Sequence, residues 1–170
     1  MRILGIDPGL RLTGYGVIDF HPLRPRLIDA GVIRLAVNAS IPDRLVELET
    51  ELNAIYAEHK PSYCAVEQLY AHYNHPRTSI LMGHARGVIM LVAARNQVTI
   101  EECSANRVKK SIVGFGHAGK NQVQKAVQVI WNLPKLPEPP DVADALAVGL
   151  CHYYATLRSQ EPEARSQNAE

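Results

Sequence analysis

The sequence has little cysteine: three residues in 170, at positions 64, 103 and 151. No two stand at the close spacing of a zinc ligand set, and their scatter builds no disulfide framework. Cys64 and Cys151 fall in apolar runs and read as core. Long apolar stretches are missing too. The longest, GVIMLVAA at 87–94, is far short of a bilayer span. Gly5 and Asp7 break the opening residues, so no charged-then-apolar secretion signal forms there. A reduced, cytoplasmic protein is the expectation. Net charge is nearly absent, at +1, so bulk charge names no partner. There is no internal repeat and no Gly-x-Ser-x-Gly nucleophile elbow. GFGHAGKNQ (114–122) has glycines but neither the Walker spacing nor a strand directly before it, and reads as a flexible loop carrying Lys120. HYNH (72–75) pairs two histidines with no third ligand nearby.

What is present is a soluble-type composition, 46% hydrophobic, in a length that suits one domain. Residues 1–158 are expected to form it, with 159–170 as a polar, disordered tail. Residues 2–7 read as a buried strand, and apolar alternation predicts two more over 13–20 and 26–35, joined by short links as an antiparallel meander. The period then changes. Leu45, Leu48, Leu52 and Ile55 lie at helical spacing within 41–60, with Asp43 as the expected N-cap and Pro61 as the stop. A strand at 63–67, a helix at 79–96, a strand at 98–103 and helices at 104–114, 121–132 and 141–158 follow. A helix between strands implies a parallel crossover. The order predicts a mixed α/β sheet with helices on both faces.

Four carboxylates stand out. Asp7 ends the first strand and Glu67 ends YCAVE, and open α/β sheets place their sites at strand ends. Asp141 and Asp144 open the last helix one turn apart, on one face shared with Ala145 and Val148. Taken singly, each aspartate has a plainer role: Asp7-Pro8-Gly9 is a turn, Asp141 a cap, Asp144 a complement to the helix dipole. Taken together they are a repelling cluster that needs a cation. Hard oxygen donors without His or Cys select Mg²⁺ or Mn²⁺. A pair of such ions is the usual machinery for phosphodiester hydrolysis. Gly9, Gly14 and Gly16 are expected to give a backbone phosphate room to approach.

The charge distribution adds to this. From Ala71 to Lys125 there are eight Arg and Lys residues, among them Arg77, Arg86, Lys109, Lys110 and Lys120, against only Glu101 and Glu102. Such a segment suits a polyanion, or is simply a solvated helix surface. Tyr70 and Tyr73 follow Glu67 in a polar stretch, where exposed rings stack on unpaired bases or, buried, merely pack the loop. A module that binds branched DNA without cutting it would have no use for a clustered negative site. A kinase-like or actin-like nucleotide fold shares the opening strand and turn but needs two such domains.

LGIDPGLRLTGYG (4–16), VEQLY (66–70), GHARG (83–87), RVKKSIVGFGHAGKNQV (107–123) and DVADALAV (141–148) together resemble the RuvC family of bacterial Holliday junction resolvases. The matches keep the family's order over about residues 1–155. The resemblance implies a ribonuclease H-like fold, with a five-stranded mixed sheet flanked by helices. It implies catalytic, metal-binding roles for Asp7, Glu67, Asp141 and Asp144, with Mg²⁺ bound, most simply as two ions per site. It further implies a homodimer, paired cuts in opposing strands of a four-way DNA junction, 5′-phosphate and 3′-hydroxyl ends, and cooperation with the RuvA–RuvB branch-migration complex. Lys109 and Lys120 match the family's basic residues near the junction, and Tyr70 its stacking aromatic. Three departures stand out: Tyr70 for the usual Phe, His84 for the usual Gln, and a connector at 133–140 rich in proline.

Overall fold

The computed structural model describes residues 1–68 and 76–160. The strands are β1 (Arg2–Asp7), β2 (Leu12–Asp19), β3 (Arg26–Arg34), β4 (Tyr63–Glu67) and β5 (Thr99–Cys103). The helices are α1 (Ile41–His59), α2 (Pro76–Arg95), α3 (Ala105–Val113), α4 (Lys120–Trp131) and α5 (Pro140–Gln160). They make a five-stranded sheet in the order β3-β2-β1-β4-β5. The first three strands are the expected antiparallel meander, with a register shift between Val17 and Ile18. β4 and β5 then run parallel to β1. Each parallel step needs a crossover, which α1 and α2 supply.

Strand alternation divides the sheet into two faces. Leu4, Ile6, Val17 and Cys64 share a core with Leu48 and Leu52 of α1 and Ile89 and Val92 of α2. Ile3, Ile18, Ala65 and Cys103 pack with α3, α4 and α5. α5 is buried almost continuously from Val142 to Tyr153, broken only at the half-buried Asp144. Its close seat depends on glycine. A Cβ on Gly5 would stand 2.2 Å from the Ala145 carbonyl oxygen, and one on Gly14 would stand 2.0 Å from that of Asp141. Two hydrogen bonds tie this helical layer to the β2–β3 turn: Tyr153 Oη donates to the His21 carbonyl at 2.6 Å, and Trp131 Nε1 donates to that of Pro25 at 3.0 Å.

Local chemistry corrects some expected boundaries. The N-cap of α1 is Ser40, not Asp43: its hydroxyl oxygen accepts from the Asp43 amide at 3.3 Å. Pro42 sits in the first turn, where no backbone donor is needed. α2 begins at Pro76, ahead of the expected 79. Lys120 is the first residue of α4, capped by Gly119, and does not ride in a loop. α5 runs from Pro140 to Gln160, beyond the expected helix over 141–158. From residue 161 onward the expected tail lies outside the described residues. Among the described residues no helix is long and apolar enough to cross a membrane.

Candidate active site

The last hydrogen-bonded pair between β1 and β4 is Ile6 with Val66. The next residue on each strand is a carboxylate, so Asp7 and Glu67 stand side by side at the same end of neighbouring parallel strands. Alternation fixes their face. Residues 3, 5 and 7 of β1, and 63, 65 and 67 of β4, point toward α5. Asp7 pairs with Gly14 of β2. Because Gly14 has no side chain, the first turn of α5 settles directly over it and brings in Asp141, with Asp144 one turn on. All four carboxylates line one cavity of about 1020 Å³.

Crowding shows in the proton affinities of Asp7 and Glu67. Burial, then Asp144, Glu67 and Asp141, push the Asp7 carboxyl up to about 8. Burial and Asp144 also raise Glu67. Lys120 works against this accumulation. Its ammonium donates to Asp144 Oδ2 at 3.3 Å, and Asp144 in turn raises the lysine's pKa. Lys109, on the cavity wall, opposes the rise at Glu67. Lys120 and Lys109 thus offset part of the negative charge where the carboxylates meet. The donors are all hard oxygens, which fit Mg²⁺ or Mn²⁺. Among the described residues, however, no three or more His, Cys, Asp or Glu side chains form a finished metal site. The quartet is a set of oxygen donors around one cavity.

The other expected site residues separate into groups. Lys109 and Lys120 line the cavity with the carboxylates. Arg77 and Lys110 are exposed but lie off its wall. Arg86, expected among the DNA-facing cations, is held within the fold. It pairs with Glu102 at 2.8 Å, donates from Nε to the Glu67 carbonyl at 3.4 Å, and keeps only 15% of its side chain exposed. It braces α2 against the ends of β4 and β5. Tyr70 lies outside the described residues, as do Tyr73 and the histidines at 72 and 75. The glycines also change role. Gly14 makes way for α5, a Cβ on Gly16 would meet Leu146 at 2.4 Å, and one on Gly9 would meet the Leu12 carbonyl at 2.1 Å. They give the protein clearance against itself. The proline-rich connector leaves Asp141 on the cavity wall.

Sequence reading missed three arginines that also line the cavity: Arg11, Arg34 and Arg44. None lies in the basic segment, so a local charge count passes over them. Their signal was positional, since Arg11 follows the Asp7 turn and Arg34 ends a strand of the same meander. Cys103 and Cys151, far apart in sequence, meet in the core, where their shared hydrogen bond and burial push the Cys103 thiol up.

Comparison with known proteins gives consistent results. A family model described as crossover junction endodeoxyribonuclease RuvC matches residues 3–152. The crossover junction endodeoxyribonuclease RuvC of Rhodopirellula baltica is 50% identical over 152 residues, covering 89% of this chain and 85% of the relative. A solved structure of Thermus thermophilus RuvC superposes with a TM-score of 0.83 at 28% identity, covering 93% of this chain and 97% of that one. T. thermophilus RuvC in complex with Holliday junction substrate gives 0.82 at 25% identity, with 92% and 96% covered. The fold is thus ribonuclease H-like, as the mixed sheet and its two helical layers predict.

Proposed function

This chain belongs to the RuvC family of crossover junction endodeoxyribonucleases, and from that premise we propose that it resolves four-way (Holliday) DNA junctions in recombination and repair. The supporting observation is the convergence of Asp7, Glu67, Asp141 and Asp144 on one cavity with Lys109 and Lys120 on its wall. A polyanion binder gains nothing from a buried negative quartet. A nuclease needs it to hold the metal cations that would meet the negative phosphodiester.

Mg²⁺ held by the four carboxylates, most simply as two ions, would supply activation of water and stabilisation of the leaving oxygen. The chain's own residues do the rest. The strand ends fix Asp7 and Glu67 side by side, and α5 fixes Asp141 and Asp144 over them. Lys120 limits the repulsion within the quartet through Asp144. Lys109 stands where an incoming phosphate meets a positive charge. Water oxygen bonds to phosphorus as the bond to the 3′ oxygen breaks; the water gives up one proton and the 3′ oxygen takes one up, leaving a 5′-phosphate and a 3′-hydroxyl that a ligase can rejoin.

A junction cut at two opposing points calls for two matching sites, hence a homodimer. The outward side of α2 suits a second copy. Ile80 and Leu91 are 60% and 46% exposed, and a Cβ on Gly83 or Gly87 would meet nothing within 4 Å. A second helix can approach closely along such a stripe. Cytoplasmic action on DNA delivered by the RuvA–RuvB branch-migration complex completes the reading. The test is Asp144→Asn. It should keep metal-free junction binding within a few-fold and reduce Mg²⁺-dependent cutting at least about 100-fold. Cutting at the unaltered rate would remove Asp144 from the site.

A further inference from the structure

The cations assigned so far, Lys109 and Lys120, come from α3 and α4. A nucleic-acid strand crossing the site has phosphates on both sides of the bond that breaks. The cavity continues past Asp7 toward β2 and β3, and on that side its wall carries Arg11 and Arg34. Arg34 pairs across the ladder with Leu12, two residues along β2 from Gly14, the partner of Asp7. Residues 12 and 14 point to the same face, so Arg34 shares the face and the sheet end that carry Asp7 and Glu67.

Both arginines are exposed, and neither makes an ion pair or side-chain hydrogen bond among the described residues. Their backbone is nevertheless held firmly. The Leu35 amide donates to the Arg11 carbonyl at 3.1 Å. Arg44, reaching up from α1, donates to the carbonyls of Ala36 at 3.0 Å, Leu10 at 3.2 Å and Val37. Arg44 therefore works as a clasp that joins the turn after β1 to the end of β3. The carboxylate that reaches this loop, Glu47, accepts from the Ala36 amide at 3.0 Å. What results is two unpartnered guanidinium groups on a fixed backbone beside an acidic centre. Guanidinium forks suit phosphate oxygens.

We infer that Arg11 and Arg34 form a second phosphate-contacting wall, gripping the DNA strand on the side of the cut opposite Lys109 and Lys120. This rests on the nuclease reading of the cavity and adds to it where the strand runs: across the sheet end from α3 and α4 toward β3. Arg44 serves as a positioning residue for this wall.

The test is junction binding without divalent metal, read by fluorescence anisotropy over a range of salt. Each phosphate contact contributes about 0.9 to the slope of log Kd against log salt. The double variant Arg11→Gln/Arg34→Gln should lower that slope by about 2, while Arg11→Lys/Arg34→Lys keeps most of it. Uncharged methylphosphonate linkages, placed one at a time beside the cut, locate the contact. A linkage on either side of the cut should weaken the unaltered protein several-fold, whereas the Gln variant should lose sensitivity on one side and keep it on the other. An unchanged slope, with the Gln variant as sensitive as the unaltered protein on both sides, would overturn the inference while leaving the nuclease reading intact. An unaltered protein that binds junction no better than duplex would overturn both.

Discussion

Asp7 keeps its carboxyl where charge is difficult to hold, half-buried and beside three other carboxylates. Its folded pKa near 8 lies above the unfolded value of about 4. Between those limits the folded chain retains a proton that the unfolded chain has released. The contribution to stability is therefore full below about pH 4 and is lost as pH rises through about 8. Asp7→Asn removes the titration. In metal-free buffer at pH 8 it should be more stable than the unaltered chain, by on the order of 1–3 kcal/mol, with no gain at pH 4. Thermal unfolding at the two pH values measures this, and equal midpoints at pH 8 would contradict it. Mg²⁺ should raise the midpoint of the unaltered chain more than that of Asp7→Asn, because a ligand stabilises only the state that binds it. From sequence alone Asp7 was as readily a turn residue. Glu67 was more telling, since no local structure called for an acid after YCAV. The arginines divided differently. Arg86 counted toward a basic segment, yet it is paired with Glu102, and composition does not record partners.

At the scale of elements, the site is made by how closely α5 lies on β1 and β2. Gly5, Gly14 and Gly16 remove the side chains that would lift it, with Gly14 directly beneath Asp141. Gly14→Ala would place a methyl 2.0 Å from a backbone oxygen, and neither strand nor helix can yield there cheaply. The expected cost is about 3 kcal/mol or more, read as a fall in unfolding midpoint, with cutting impaired in whatever remains folded. A midpoint within a degree of the unaltered chain would show that α5 is free to shift. The elements themselves were legible because alternation and helical spacing survive in the sequence: β1 and β4 fall where apolar runs end in acid. Less legible was what faces what. The glycines read as room for DNA because a sequence shows absent side chains without showing the neighbour that fills the space. The start of α4 was misplaced because Gly119 caps without a side chain, leaving Lys120 in an apparent loop.

For the whole molecule, the two helical layers have different duties. α3, α4 and α5 carry Lys109, Lys120, Asp141 and Asp144 to the cavity, while α2 leaves Ile80 and Leu91 exposed, the face proposed for a second copy. The fold class followed from element order, Asp7 and Glu67 from strand ends, and Asp141 and Asp144 from the opening of the last helix. The full DNA track did not follow, because Arg11 and Arg34 come from the meander and join the site only through sheet register. The central claim is that this cavity cuts four-way junctions in pairs. It is tested most directly by incubating the protein with Mg²⁺ and a synthetic four-way junction labelled on each strand, and mapping every cut. The expected result is two symmetric nicks in opposing strands, ligatable as formed, with plain duplex of the same sequence left intact. Equal cutting of duplex and junction, or unpaired nicks scattered over all four strands, would contradict it.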